Sequence, residues 1–221
     1  MSEQQPQSLA ARYAQLAQES ERRPRDAALR ALDLFLAAVF GLIALPFALL
    51  TSLVVLLTSG RPILYGGERV GRAGHVFTMY KFRTLRPDAE SRLGPFLGEE
   101  LVARTAAEVT SVGGWLRAAQ LDEIPQFWNV LRGDMSFVGP RPIRPRFFEE
   151  LASDLPGYWQ RLVVRPGLTG LAQVRRTREA AWSEKLAHDL EWIADRSVRL
   201  YLRTLATTAW RVLRQSLGRS Q

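Results

Sequence analysis

Between Leu34 and Leu57 the chain runs for 24 residues without a charge, LFLAAVFGLIALPFALLTSLVVLL, and this run limits what the rest of the chain can become. As a straight helix rising about 1.5 Å per residue it is long enough to cross the hydrocarbon core of a bilayer. Sixteen of its residues are Leu, Ile, Val or Phe, which together favour insertion by on the order of 5 to 10 kcal/mol. A secretory signal fits poorly, because the run is too long, begins too late and is followed by no small-residue cleavage site. A buried helix of a soluble protein fits poorly too, because such helices keep a polar face.

Pro46 sits in the middle of the run, where it removes one backbone N–H and crowds the carbonyl of Leu42, so the helix is expected to bend or break there. Arginines flank both ends: Arg22, Arg23, Arg25 and Arg30 before it, Arg61, Arg69 and Arg72 after it. Positive flanks stay on the cytoplasmic side, so a re-entrant helix that returns to the face it entered satisfies both; a kinked span satisfies one. Asp33, beside Arg30, is expected as an interfacial ion pair or a helix-start carboxylate.

The rest of the chain is basic. Lys and Arg outnumber Asp and Glu by 30 to 22, giving a formal net charge of +8, and a partner that carries negative charge follows: nucleic acid, anionic lipid or a phosphorylated small molecule. With no cysteine and only two histidines, His75 and His188, disulfides, thiolate nucleophiles, cysteine-bound zinc and multi-histidine metal sites drop out. Catalysis, if present, falls to carboxylates and arginines.

Residues 1–29 form a polar extension with Leu9, Tyr13 and Leu16 at helical spacing, compatible with a surface helix or a tail. Residues 30–58 are expected to form the membrane helix, and 59–221 a folded domain that would carry any catalysis. In that domain PILYGGERVGRAGHVFTMYKF is expected to form a β-hairpin around Gly71–Gly74, with Phe77, Met79, Lys81 and Arg83 on one face of its second strand. The segment from Asp195 to Arg219 places Val198, Leu202, Leu205, Ala209, Val212 and Leu213 on one side and Arg196, Arg199, Arg203 and Arg214 on the other. Such a helix either lies among lipid headgroups with Trp210 as an anchor or packs on its own domain. Residues 87–110 offer no motif.

The sharpest local feature is LDEIPQFWNVLRG, Leu121–Gly133. Proline near the first turn and glycine at the end bracket a helix starting at Ile124 or Pro125. Asp122 and Glu123 then stand at or just ahead of its N-terminus, where free N–H groups stabilise carboxylates and attract phosphate. Neighbouring carboxylates point different ways, so one can attack phosphorus while the other holds Mg²⁺, or both can be ordinary helix-start charges. Arg117 precedes the pair, and Arg141 follows between Pro140 and Pro142, which hold its backbone ready for a phosphate contact.

Three ordered stretches, YKFRTL (80–85), LDEIPQFWNVLRGDMSFVGPRP (121–142) and RPGLTGLAQV (165–174), behind a proline-interrupted apolar segment, resemble the bacterial sugar transferase family, small monotopic phosphoglycosyl transferases. The resemblance covers about residues 30 to 205. It implies an α+β, mainly helical fold: a re-entrant membrane helix, then a compact cytoplasmic domain with a small hairpin and interfacial amphipathic helices, at the inner membrane. It implies transfer of a sugar 1-phosphate from a UDP-sugar to a polyprenol phosphate such as undecaprenyl phosphate, with Mg²⁺ as cofactor and UMP as leaving group, at the start of polysaccharide or glycoconjugate assembly. By that resemblance Asp122 is the nucleophile and Glu123 the metal-holding partner. Lys81, Arg83, Arg117 and Arg141 are then the diphosphate and lipid-phosphate contacts, and Pro46 is the helix break. Anionic headgroups are the further expected partner, homo-oligomers are compatible, and no nucleic acid is expected. Leu45 where the family often has serine, Gly67 where glutamine is common, and Ala118, Ala119 and Gln120 before the acids depart from the pattern. A membrane-tethered nucleic-acid-binding or scaffold protein is the alternative, and it leaves the acidic pair unexplained.

Overall fold

The structure, a computed structural model, describes residues 24–93, 98–175 and 181–216. Leu9, Tyr13 and Leu16 lie outside the described residues. The first element, α1 (Pro24–Ser59), is one helix of 36 residues that contains Pro46. Pro46 does not end it: a single missing N–H flanked by intact turns leaves helix cooperativity in force, so the expected break is at most a bend. The buried positions Leu29, Asp33 and Ala37 recur every four residues, and Thr51 and Val55 do the same beyond the proline. Between them Leu42, Ile43, Leu45 and Phe47 are exposed. Both ends of α1 therefore seat on protein while its apolar middle does not.

The hairpin forms as the sequence predicts. β1 (Leu64–Val70) pairs antiparallel with β2 (Val76–Phe82), with Tyr65 opposite Lys81, and Ala73 takes a left-handed conformation in the turn. Phe77 and Met79 are buried on the face that the alternation indicates. The stretch without a motif holds α2 (Ala89–Leu93) and α3 (Gly98–Glu108). It is closed by a bridge between Leu85 and Val109, and α4 (Ser111–Ala118) follows with Thr110 Oγ1 accepting from Gly113 N at its start. Next come a tight turn at Leu121–Glu123, α5 (Gln126–Arg132) and β3 (Ser136–Val138).

A second sheet was not expected. β3 pairs in parallel with β4 (Gly167–Thr169), the chain crossing between them through α6 (Pro145–Asp154). A side chain on Gly139 or Gly167 would collide with the facing backbone, so the glycines of the second and third sequence motifs allow the two to touch. The chain ends with α7 (Leu171–Val174), α8 (Trp182–Asp195) and α9 (Val198–Ser216). One apolar core joins Ala37 of α1 to Met79, Val130, Phe137, Trp192 and Tyr201; a second gathers Phe148, Leu151, Tyr158 and Leu162.

Two expectations are corrected. Asp33 does pair with Arg30, at 3.9 Å, but it is buried rather than interfacial: its Oδ1 accepts from Ser136 Oγ at 2.8 Å, Phe137 N at 3.0 Å and Tyr201 OH at 2.8 Å, tying α1 to β3 and α9. In α9 the face toward the domain is Tyr201 and Thr204, both buried, while Val198, Leu202, Trp210 and Leu213 are exposed. Much of the apolar stripe thus faces outward, the first of the two expected placements, while its Leu205 packs against the core; periodicity identifies a face without saying what covers it. Arg196, expected on the polar side, is buried and paired with Asp26 at 2.6 Å. Arg219 lies outside the described residues.

Candidate active site

Asp122 and Glu123 occupy a 3₁₀ turn rather than the first turn of the helix. Gln120 bends the chain through a left-handed conformation, Pro125 leads into α5, and Gly133, also left-handed, ends it. Beneath, Asn129 is fully buried and its side chain acts as a short strand along the open edge of β2. Its Oδ1 accepts from Tyr80 N at 3.0 Å, and its Nδ2 donates to Thr78 O at 2.7 Å. That clamp fixes β2 against α5 and sets Lys81 opposite the acids. Lys81 Nζ donates to Glu123 Oε1 at 2.6 Å.

All six site residues taken from the sequence line one cavity of about 1020 Å³. Asp122 is only 6% exposed. Burial pushes its carboxyl above the ordinary carboxylate range, with Glu123 adding to the rise and the charges of Lys81 and Arg117 opposing it. Glu123 moves the other way: burial raises it, but the Lys81 ammonium, its hydrogen bond and Arg141 together bring it below the usual range. The two neighbours are thus driven apart, one toward basicity and one firmly ionised, a separation typical of sites where two carboxyls hold different tasks.

The cations are not equivalent. Arg117 Nε donates to Thr84 Oγ1 at 2.9 Å, which aims the guanidinium along the cavity wall. Arg141 is exposed, and its carbonyl accepts from Arg161 Nη2 at 2.9 Å; Arg161 is itself buried and paired with Asp189 at 2.7 Å. Arg83 is buried, and its guanidinium reaches the carbonyls of Arg61 at 2.9 Å, Gly60 at 2.8 Å and Ser59, the end of α1. It reads first as the clasp between α1 and the strand carrying Lys81. No role for Thr84, Asn129 or Arg161 was legible in the sequence, though Thr84 and Asn129 lie in its first two motifs, since each works through a partner far along the chain.

For a divalent cation the donors are the carboxylates of Asp122 and Glu123; no group of three or more His, Cys, Asp or Glu occurs among the described residues. Mg²⁺ fits such a pair, since it takes one or two carboxylates and fills its shell with water and substrate phosphate oxygens.

The sequence profile of the bacterial sugar transferases matches residues 25–215, and the chain belongs to that family. It is 38% identical over 185 residues to a UDP-glucose:undecaprenyl-phosphate glucose-1-phosphate transferase of Caulobacter vibrioides, covering 80% of this chain and 67% of that protein. To an undecaprenyl-phosphate galactose phosphotransferase of Salmonella typhimurium it is 36% identical over 166 residues, covering 71% of this chain and 34% of the relative. An Aeromonas hydrophila protein named as a UDP-N-acetylgalactosamine-undecaprenyl-phosphate N-acetylgalactosaminephosphotransferase is 36% identical over 142 residues, covering 63% and 32%. The chain thus spans about a third of the length of the last two relatives. Their names carry three different sugars at nearly equal identity.

Proposed function

We propose that the protein transfers a sugar 1-phosphate from a UDP-sugar to a polyprenol phosphate, undecaprenyl phosphate in the relatives' names, with Asp122 as nucleophile. The observation that carries this is the placement of Asp122: buried at the cavity wall, raised toward basicity, with Lys81, Arg117 and Arg141 on the same cavity. A carboxylate oxygen of Asp122 attacks the β-phosphorus of the nucleotide sugar. The bond to the bridging oxygen breaks and UMP departs with it, leaving the phosphosugar on Asp122. An oxygen of the polyprenol phosphate then attacks the same phosphorus and frees the carboxylate, giving a polyprenyl diphosphosugar. Lys81, Arg117 and Arg141 stabilise the charge that gathers on phosphoryl oxygens. Mg²⁺, held by Glu123 with Asp122, supplies further neutralisation of that charge when bound.

The membrane arrangement follows the same logic. Arg30 near the start of α1 donates to the carbonyls of Val130 at 2.7 Å and Leu131 at 3.1 Å, while Arg83 holds the carbonyls at its end. With both ends on one polar domain and an exposed apolar middle, α1 enters and leaves by the same face of the bilayer, and the arginine flanks make that face cytoplasmic. Trp210, Leu202 and Leu213 of α9, with Arg199, Arg203 and Arg214 beside them, rest among anionic headgroups. The site then stands at the level of the lipid's phosphate.

The test is UMP release from UDP-sugars by purified protein without acceptor. One equivalent per enzyme is expected from the parent and none from Asp122→Asn, with a phosphosugar adduct at residue 122 by mass spectrometry of quenched parent. Normal turnover by the Asn variant would overturn the assignment.

A further inference from the structure

Gln173 stands apart from the other polar side chains of the cavity wall. Its Nε2 and Oε1 are both buried, and neither has a hydrogen-bond partner among the described residues. It lies on α7, in the third sequence motif, to which the chemistry above gives no task. Around it the wall is firmly built. Thr208 gives its proton to the carbonyl of Thr204 at 2.9 Å and accepts from Thr169 Oγ1 at 2.8 Å; Arg211 Nη1 donates to the Gln173 carbonyl at 2.7 Å. Gly170, just before α7, has backbone of Gly139 so close that a side chain there would collide with it.

A buried amide with both ends unpaired destabilises a fold, and a leucine of similar volume would not. Such a group is explained by a ligand that completes it. A phosphate could use the Nε2 donor but would set its negative oxygens against Oε1, so the diphosphate is a poor match. The amide matches a neutral group that donates and accepts side by side.

We propose that Gln173, with Thr169 and Arg211 beside it on the cavity wall, forms a subsite for a neutral donor–acceptor portion of the nucleotide sugar: paired sugar hydroxyls or the imide edge of the base. The proposal rests on the transfer reading above and extends it to recognition of the part of the donor that does not react.

Full-length protein in lipid nanodiscs is assayed as parent, Gln173→Leu and Gln173→Glu, with UDP-glucose, UDP-galactose and UDP-N-acetylgalactosamine as donors and UMP as inhibitor. The Leu variant is expected to melt no lower than the parent while its KM for the preferred donor rises on the order of tenfold or more and its KM for undecaprenyl phosphate stays unchanged. The Glu variant, which keeps the size but loses the donor, should be impaired likewise. Weaker inhibition by UMP, by the same factor, assigns the contact to the nucleoside half of the donor, its base edge or ribose hydroxyls. Unchanged UMP inhibition with weaker discrimination among donors assigns it to the sugar. A donor KM equal to the parent's, or a rise in KM that follows a fall in melting temperature, overturns the subsite. A parent that releases no UMP from any donor overturns the transfer reading, and the subsite with it.

Discussion

Lys81 Nζ and Glu123 Oε1 meet at 2.6 Å, joining the hairpin to the acidic turn across 42 positions of chain. The pair is part-buried, and Asp122 next to it feels both charges. Beyond the phosphate contact proposed for it, Lys81 keeps Glu123 ionised and moderates how far burial raises Asp122. The basicity of Asp122 is a balance of burial with the charges of Lys81, Glu123 and Arg117, which come from three separate stretches of chain.

That balance sets a pH dependence with a definite sign. If Asp122 is the proposed nucleophile it must be ionised to attack, so the acid limb of kcat/KM is expected to follow its folded value, above the ordinary carboxylate range. Arg117→Gln removes an opposing positive charge and should move the limb to higher pH. Glu123→Gln removes a neighbouring negative charge and should move the limb of its residual activity to lower pH. A raised carboxyl contributes stability below its unfolded value and loses it as pH rises through the folded one. Asp122→Asn should accordingly melt higher than the parent at neutral pH, with the difference vanishing in acid.

Thr84→Val keeps the shape of the side chain and deletes the acceptor that aims Arg117. A net loss of about 1 kcal/mol in transition-state binding is expected, which is roughly fivefold in kcat/KM, with an unchanged melting temperature. Steady-state kinetics beside a thermal melt checks it.

Arg83 donates to three carbonyls at the end of α1. Arg83→Lys keeps the charge but lacks the planar fork. Losing on the order of 2 kcal/mol should lower the melting temperature by about 4–8 °C, with activity falling in proportion. A Lys variant of parental stability that shows only weaker donor binding would make Arg83 a phosphate contact instead.

Tyr201→Phe removes one of three hydrogen bonds to Asp33 Oδ1. The bond is to a buried carboxylate, so a cost of about 1.5–3 kcal/mol is expected in chemical denaturation of the detergent-solubilised protein. Catalysis at low temperature should persist, since Tyr201 does not line the cavity.

The chain has no cysteine, so single thiols report topology cleanly. Ala28→Cys and Arg61→Cys, at the two ends of α1, should both react with an impermeant maleimide only when the cytoplasmic face is open, and Phe47→Cys should stay protected. Labelling of the two ends from opposite faces would mean that α1 spans.

Much of this was legible in the linear chain, and the limits fall in identifiable places. The uncharged run, the hairpin around Gly71–Gly74 and the helix stop at Gly133 depend on neighbours within a few residues, so composition and period suffice. The acidic pair and its basic companions were recognisable as a set, and folding brings all six to one cavity. What each cation does was not legible. Arg83 and Lys81 are two apart on the same chain face, yet one clasps the end of a helix and the other a carboxylate, because their surroundings are built by residues 59–61 and by the turn at 121–123.

By itself the sequence determined which segments are apolar, which are regular and which residue types are present for phosphate chemistry, since these are local properties of side chains. Only the tertiary structure decided that α1 continues through Pro46 with both ends on the domain and that β3 and β4 run parallel. It alone decided that α9 turns Tyr201 inward and Leu202 outward, and that the amide of Gln173 is buried with no hydrogen-bond partner among the described residues. The physical reason is that periodicity marks a face without naming its partner, and partners here can lie 170 positions apart, as Asp26 and Arg196 do.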